Sequence, residues 1–219
     1  MVELKGNRKM MVAVICVPLV LFVLWMLSGY LPTRGIDMPL YTIIEKRAEY
    51  EIRQYESYIV AETLQTGGKT ESMSSGFNEL FQYISGNNVR QSKIKMTAPV
   101  LQSDKDVGQK IPMTTPVLKQ RDGGTSTIAF IMPPGSRLEE LPQPKSSTVR
   151  LRAVPSHKVA VVRFSGYASE DTIKEETSRL VSTLQRDGVI AKSGPQTALY
   201  NPPWTPPFMR RNEVMIEIE

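Results

Sequence analysis

Side chains suited to metal ligation or nucleophilic catalysis are scarce in this sequence. Its 219 residues include one histidine, His157, and one cysteine, Cys16. A multi-histidine metal site and a Ser/His/Asp triad both need more than one lone histidine can supply. Cys16 lies inside an apolar N-terminal run, so the rest of the chain has no thiol for a disulfide, an iron–sulfur cluster or a thiolate nucleophile. The sequence therefore predicts a protein that is not an enzyme.

The overall composition is that of a globular protein. Hydrophobic residues make up 41% of the chain and charged residues 22%, with a formal net charge of +5. This excess of positive charge is mild, and no run of Lys and Arg alternates with aromatic residues as in nucleic-acid-binding surfaces. We therefore expect no nucleic-acid partner.

The N-terminal segment has the features of a membrane anchor. Residues 10–27, MMVAVICVPLVLFVLWML, are apolar without interruption, and about 18–22 helical residues cross a hydrocarbon core of about 30 Å. Lys5, Arg8 and Lys9 precede the run, which by the positive-inside rule keeps the N-terminus in the cytoplasm. A cleaved signal peptide is the competing interpretation, but the run exceeds a usual h-region and no A-x-A-like site follows. The predicted order is a cytoplasmic N-terminus at 1–9, a transmembrane anchor in the lipid bilayer at 10–31, a tether at 32–40 and an extracytoplasmic domain (periplasmic or equivalent) at 41–219.

An internal repeat organises the chain beyond this segment. The segment YEIRQYESYIVAETLQTG, which starts at Tyr50, aligns without a gap with VRLRAVPSHKVAVVRFSG, which starts at Val149, at an offset of 99. Each copy alternates apolar and polar residues on both sides of a short turn, at 56–57 and at 155–156. This pattern predicts a β-hairpin with one buried face in each half of the chain.

An amphipathic helix is expected after each hairpin. The apolar stripe of the first helix consists of Met73, Phe77, Leu80, Phe81 and Ile84. Gly86 suits the position just past the end of that helix, Ser169 suits the N-cap of the second, and Gly188 suits the end of the second. Further strands are predicted at 94–101, 113–119, 125–132, 196–201 and 213–219.

These elements together predict an α+β fold. Two halves, each a hairpin followed by a helix and further strands, would form a distorted antiparallel β-barrel with pseudo-twofold symmetry and outer helices. One transmembrane helix would precede this domain.

Several motifs resemble the SOUL haem-binding family. They are GFNELFQYISGNNVRQSKIKMTAPV at 76–100, IPMTTPV at 111–117 and RNEVMIEIE at 211–219, with YEIRQY at 50–55 and LYNPP at 199–203 in the same order. The resemblance runs from about Tyr41 to the end of the chain. It implies a distorted barrel of two similar halves flanked by helices, in agreement with the repeat.

The resemblance implies that the chain binds haem or a related tetrapyrrole (porphyrin) without catalysis. Such a ligand needs an apolar groove about one macrocycle wide, with basic groups at its mouth for two propionates. The residues expected to form the groove are Met73, Phe77, Phe81, Met96 and Met113. Those expected to meet the propionates are Lys93, Lys95, Arg210 and Arg211. A stripe of methionine and aromatic residues is also what plain core packing requires, and that alternative stays open.

His157 is a weak candidate for an axial ligand of the iron. In the repeat it aligns with Tyr58, just after the predicted turn, so an exposed turn histidine is the competing interpretation. Met96 and Met113 offer sulfur ligands but are equally suited to packing. The axial ligand therefore stays unknown at the level of sequence.

The sequence and the resemblance lead to two hypotheses about the function of this protein. The first is a membrane-anchored protein that captures, buffers or delivers haem. The alternative is a general small-molecule effector-binding or interaction module of the gyrase-inhibitor-like fold. The segment PPWTPP at 202–207 is predicted to be a rigid loop whose Trp204 and Phe208 pack over the domain, with a polyproline-reading partner as its alternative.

Overall fold

The computed structural model describes residues 3–104 and 125–219, and within the first helix it describes side chains at Val14 and from Cys16 onward. The helices are α1 (Glu3–Tyr30), α2 (Lys69–Ile84) and α3 (Glu170–Arg186), with short 3₁₀ helices at Leu31–Thr33 and Pro207–Met209. The strands are β1 (Tyr41–Lys46), β2 (Glu51–Tyr55), β3 (Tyr58–Thr66), β4 (Val100–Asp104), β5 (Thr125–Ile131), β6 (Arg150–Val154), β7 (His157–Phe164), β8 (Gln196–Leu199) and β9 (Asn212–Ile218).

The strands within these ranges form one antiparallel sheet in the order β1-β2-β7-β9-β8-β4-β5-β3-β6. Apart from β1, exchanging β2 to β5 with β6 to β9 gives the same strand order read from the opposite edge of the sheet. A pseudo-twofold axis therefore passes between β4 and β8. The α+β class and the two similar halves are therefore confirmed. The sheet is a curled half-barrel with β1 and β6 at its edges, where the sequence predicted a distorted barrel.

The predicted hairpins are wrong. β2 pairs with β7, where Glu51 lies opposite Val161, and β3 pairs with β6, where Tyr58 lies opposite Val154. The strands on either side of each turn therefore pair with the other half of the chain. Alternation identifies a strand and its buried face, but the choice of partner depends on tertiary packing. The two turns meet, because Ser156 Oγ donates a hydrogen bond of 2.7 Å to the carbonyl oxygen of Tyr55.

The two long helices after the repeats cover one face of the sheet, here called the helix face. α2 packs on β3 and β5, and α3 packs on β7 and β9. Close packing under α2 depends on Gly76, since a Cβ atom there would lie 2.5 Å from Ile128 Cγ1. The buried apolar residues under α3 include Ile52, Ala160, Val162, Leu180, Leu184, Val214 and Ile216. Two helix-on-sheet cores thus position the exposed surfaces described below.

Most of the predicted element ends match the structure. Gly86 and Gly188 follow α2 and α3 with φ angles of +112° and +68°, a backbone region that favours glycine. The strand predicted at 94–101 begins only at Val100, and the strand predicted at 113–119 lies outside the described residues. β1 is an additional edge strand on β2.

Replacing Ser169 with alanine is expected to lower the free energy of unfolding by about 1 kcal/mol, the usual cost of losing an N-cap. Ser169 Oγ accepts a hydrogen bond from the backbone N–H of Thr172 at 3.2 Å. Urea unfolding of the full chain in detergent micelles measures the change. Ser169→Asp, which restores an acceptor and adds a favourable charge at the N-terminus of the helix, should recover most of it.

In the part of the chain that the structure describes, no helix has both the length and the apolar character needed to cross a membrane. The anchor predicted at 10–31 therefore stays a prediction. The predicted tether at 32–40 contacts the domain, because Asp37 bridges to Thr97 and forms a salt bridge of 2.9 Å with Lys95.

Candidate functional site

The two faces of the sheet carry different side chains. On β9, Val214 and Ile216 belong to the apolar core under α3. Met215 and Glu217 alternate with them and point to the opposite, concave face, where they line a cleft. Described residues line two clefts on this concave face, here called the arginine cleft and the central cleft.

The arginine cleft lies along β1, β2 and β7 and has a volume of about 380 Å³. It is lined by Tyr41, Ile43, Arg47, Ala48, Glu49, Tyr50, Glu51, Arg53, Val161, Arg163 and Arg211. Arg47, Arg53 and Arg211 are each paired with carboxylates. Arg163 makes no ion pair with a described residue. Because most of the positive charge is neutralised, the lining of this cleft has little excess charge to attract an anion.

A buried carboxylate, Glu213, holds the inner wall of this cleft together. Its side chain is 0% exposed. Arg53 donates two hydrogen bonds to its oxygens, at 3.0 and 3.2 Å, while Arg211 donates at 2.8 Å and the Tyr200 hydroxyl at 2.7 Å. Burial alone would raise the pKa of Glu213, but the hydrogen bonds and charge of Arg53 and the charge of Arg211 outweigh it and lower the pKa. Glu213 is therefore a structural anion.

The central cleft lies on the pseudo-twofold axis and has a volume of about 110 Å³. Its apolar floor consists of Val60, Leu101, Ala129, Val159 and Met215, and its polar rim includes Glu62, Arg152, His157, Gln196 and Glu217. Pockets for drug-sized ligands usually measure about 300–1,000 Å³. The central cleft is smaller than this range.

His157 begins β7 directly after the turn at 155–156, and its half-buried side chain lines this central cleft. Its ring stacks on Tyr55 at a centroid distance of 5.9 Å and lies 5.8 Å from Tyr58. Its Nδ1 atom is 2.8 Å from the carbonyl oxygen of Pro155. The aligned positions His157 and Tyr58 thus face each other across the axis.

The predicted groove residues lie on the other side of the sheet. Met73, Phe77 and Met96 are partly buried against the apolar core between α2 and the sheet. None of the described residues predicted to form the groove lines either cleft, whereas Arg211 lines the arginine cleft and His157 the central cleft. A ligand held against α2 on the helix face therefore cannot be coordinated by His157 on the concave face. Met113 lies outside the described residues.

One side of α2 carries a pair of nearly parallel aromatic rings, one partly buried and one exposed. The rings of Phe77 and Phe81 are 6.0 Å apart with an interplanar angle of 9°. Phe77 is held from beneath by an edge-to-face contact of 5.2 Å with Phe130, whereas Phe81 is 47% exposed. Aromatic and thioether groups of this kind can pack against a flat macrocycle.

The predicted propionate partners belong to different parts of the fold. Lys93 and Lys95 are exposed in the segment that follows α2, and Lys95 is paired with Asp37. Arg210 lies in the loop between β8 and β9, where it donates to the carbonyl oxygens of Thr205 and Pro203. Arg211 is committed to Glu213 in the arginine cleft. Of the four predicted propionate partners, Lys93 and Lys95 are therefore the nearest in sequence to α2.

Sequence reasoning missed both concave clefts and the role of Glu213. The alternation of Glu213, Met215 and Glu217 predicts one polar face on the last strand, which is ordinarily a solvent-facing one. The alignment of Arg53 with Arg152 in the repeat was one signal in the sequence that both arginines have a structural role. In the structure each of them pairs with a glutamate of another strand. Identifying the glutamate partners required the strand order.

Comparison with solved structures supports the fold. The C-terminal domain of EcmrR superposes with a TM-score of 0.55 at 11% identity, covering 82% of this chain and 98% of that one. An uncharacterized conserved protein from Listeria innocua superposes with a TM-score of 0.52 at 12% identity, covering 79% and 93%. At these identities the likeness concerns the fold alone.

Comparison with known sequences identifies the family. Human Heme-binding protein 2 is 31% identical over 169 residues, which is 76% of this chain and 77% of the relative. Heme-binding protein 2 of Mus musculus is 26% identical over 191 residues, 84% and 86% of the two chains. A family model described as SOUL heme-binding protein matches residues 36–217, so the match begins inside the predicted tether. The chain belongs to the SOUL heme-binding protein family.

Proposed function

We propose that this protein binds haem or a related tetrapyrrole against the Phe77 and Phe81 rings of α2, without transforming it chemically. The family match over residues 36–217 carries the choice of ligand. Bound haem supplies an iron that accepts axial ligands. Phe77 and Phe81 would pack against the macrocycle, Met73 would lie beside them as a thioether, and Lys93 would meet a propionate.

The carboxylate of Glu79 on α2 is fully engaged in hydrogen bonds. Its carboxylate accepts hydrogen bonds from Thr63 at 2.6 Å, Gln65 at 2.9 Å and Ser146 at 2.9 Å, and from Thr148. Burial would raise the pKa of Glu79, but these hydrogen bonds outweigh it and lower the pKa. A carboxylate held ionised by several donors is a poor general acid or base, which supports a binding role.

We further propose that the domain acts at a membrane, in haem capture, buffering or delivery. The support is the uninterrupted apolar run at 10–27 in the sequence and the side chains on the described part of α1. Large apolar side chains are exposed on all sides of that helix, at Val14, Val17, Leu19, Val20, Leu21, Val23, Leu24 and Leu27. A helix that is apolar all round needs a nonpolar environment. The basic residues before the run favour an extracytoplasmic position of the domain.

A haemin titration of the full chain in detergent micelles tests the proposed ligand. We expect a saturable shift of the Soret band with micromolar affinity or better. Micelles without protein are the necessary control, because haemin itself partitions into detergent. Absence of saturable binding above this control would contradict the proposal.

The second candidate, a small-molecule effector-binding module, is favoured by the central cleft. Its apolar floor and its charged rim, where Arg152 forms a bidentate pair with Glu62 at 2.9–3.2 Å, suit a small amphipathic ligand. A hydrophobic-ligand screen in which haemin shows no preference over smaller molecules would favour this function.

A further inference from the structure

The end of α1 is docked on the loop between β8 and β9, here called the β8–β9 loop (residues 200–211). Phe22, Trp25 and Gly29 lie on one face of the helix, at i, i+3 and i+7. The ring of Phe22 stacks on Phe208 at 6.4 Å with an interplanar angle of 24°. This contact joins the segment that precedes the family domain to the domain itself.

Two tryptophans lock this contact with reciprocal hydrogen bonds. Trp25 Nε1 donates to the carbonyl oxygen of Trp204 at 3.0 Å, and Trp204 Nε1 donates to the carbonyl oxygen of Ser28 at 3.1 Å. Helix and loop also approach closely at Gly29, where a Cβ atom would lie 2.7 Å from Pro206 Cδ and 3.0 Å from Thr205 Cα. Only glycine permits this approach without a shift of the loop, so the docking is geometrically specific.

The rings that make this contact stay largely uncovered by protein. Trp204 is 56% exposed and Phe208 58% exposed, although the sequence predicted that they pack over the domain. Their nonpolar surfaces continue the exposed apolar surface of α1. Tryptophan rings with a bonded N–H and an exposed nonpolar body are typical of the interfacial zone of a bilayer.

Arginines flank this aromatic surface. Arg34 follows the helix and lies over the ring of Tyr30 at 5.8 Å. Arg210 lies over the ring of Tyr167 at 4.7 Å. Neither arginine forms a salt bridge with a described residue. Arg210 donates from Nε and Nη2 to backbone carbonyl oxygens of the loop, which leaves its Nη1 for a lipid phosphate group.

From these contacts we infer that the β8–β9 loop is a second membrane-contacting element, inserted beside α1 into the interfacial zone of the bilayer. The inference rests on the proposed anchor. Phe22 lies five residues before Leu27, the end of the apolar run, which is about 7 Å along a helix axis. Phe208 stacks on Phe22 and therefore reaches the same depth, within the range of about 5–10 Å typical of interfacial side chains. The domain would thus be held against the bilayer at one defined face.

Depth-dependent fluorescence quenching tests this inference, because the chain has two tryptophans, Trp25 and Trp204. In Trp25→Phe the only tryptophan is Trp204, and in Trp204→Phe it is Trp25; excitation at the long-wavelength edge of the absorption band selects tryptophan over tyrosine. Each full-length variant is reconstituted into vesicles of phosphatidylcholine and phosphatidylglycerol with brominated acyl chains. We expect both tryptophans to be quenched to a similar extent and to emit at shorter wavelength than free tryptophan.

The outcomes separate the inference from the anchor on which it rests. Quenching of Trp25 without quenching of Trp204 would overturn the inference and leave the anchor standing. If neither were quenched, the anchor would fail and the inference with it.

A glycine substitution tests the role of the docking contact. Gly29→Ala places a Cβ atom against Pro206 and is expected to reduce the quenching of Trp204, while the quenching of Trp25 is retained. Gly68→Ala, at a position with no atom within 4 Å of the added Cβ, is the matched control. Unchanged quenching of Trp204 in Gly29→Ala would contradict the claim that docking on α1 sets the depth of the loop.

Discussion

Replacing Glu213 with glutamine is expected to lower the free energy of unfolding by about 3–5 kcal/mol, the cost of removing one partner from a buried ion pair. The substitution keeps the shape of the side chain but removes the buried carboxylate from Arg53, whose side chain is 4% exposed. The carboxylate that Arg53 keeps is that of the partly exposed Glu51, at 2.9 Å. Arg211 loses its carboxylate as well. Urea unfolding of the full chain in detergent micelles, followed by near-ultraviolet circular dichroism, measures the loss.

The matched control is Glu62→Gln. Glu62 also accepts bidentate hydrogen bonds from an arginine, but that arginine, Arg152, has a side chain 53% exposed. An exposed pair contributes about 0–1 kcal/mol, so this variant should be nearly as stable as the parent. Equal losses in Glu213→Gln and Glu62→Gln would contradict the structural role assigned to Glu213.

The difference in the free energy of unfolding between the parent and Glu213→Gln is expected to depend on pH in a definite direction. Because the folded-state pKa of Glu213 is lowered from its ordinary value of 4.5, the stability it contributes is fully present above that value and is lost as the pH falls through the folded-state pKa. The gap in stability between parent and Glu213→Gln should therefore narrow in acid. Other carboxylates titrate in both proteins and cancel in the comparison. A gap that widened in acid would be inconsistent with a lowered pKa.

Replacing Phe81 with aspartate is expected to weaken haemin binding about 10- to 100-fold. Burying a phenylalanine ring contributes about 1.5–3 kcal/mol, which corresponds to one to two orders of magnitude in affinity. The new carboxylate would also repel the propionates. Phe81 is already half exposed, so the fold should tolerate the change. The measurement is the haemin titration of the full chain, with Ile190→Asp as the control because Ile190 is 52% exposed and follows α3 in the other half.

His157→Ala gives the opposite expectation in the same titration. His157 lies on the concave face, whereas Phe77 and Phe81 lie on the helix face, so its removal should leave the Soret spectrum and the affinity nearly unchanged. Loss of binding in His157→Ala together with normal binding in Phe81→Asp would place the haem on the concave face. That result would overturn the α2 site.

The positions of helices and strands were largely predictable because they depend on local patterns. The apolar spacing of α2, the Ser169 cap of α3 and the alternation along β9 each follow from side-chain periodicity. The repeat at an offset of 99 also predicted, from the sequence alone, that the domain consists of two similar halves. Pairing was not predictable, because a two-residue turn is compatible with a hairpin and with the corner seen at 56–57. Which strand lies beside β2 is decided by the packing of both helices on a single sheet.

The candidate site shows the same division between local pattern and tertiary structure. The stripe with Met73, Phe77 and Phe81 and the resemblance to a haem-binding family follow from the sequence by itself. Only the tertiary structure separates this stripe from His157, because a residue at the start of β7 and one on α2 face opposite sides of one sheet. Only tertiary contacts bury Glu213 between two arginines that lie far from each other in sequence. Local spacing determines which side chains share a face of an element, whereas the meeting of faces from distant elements depends on the whole fold.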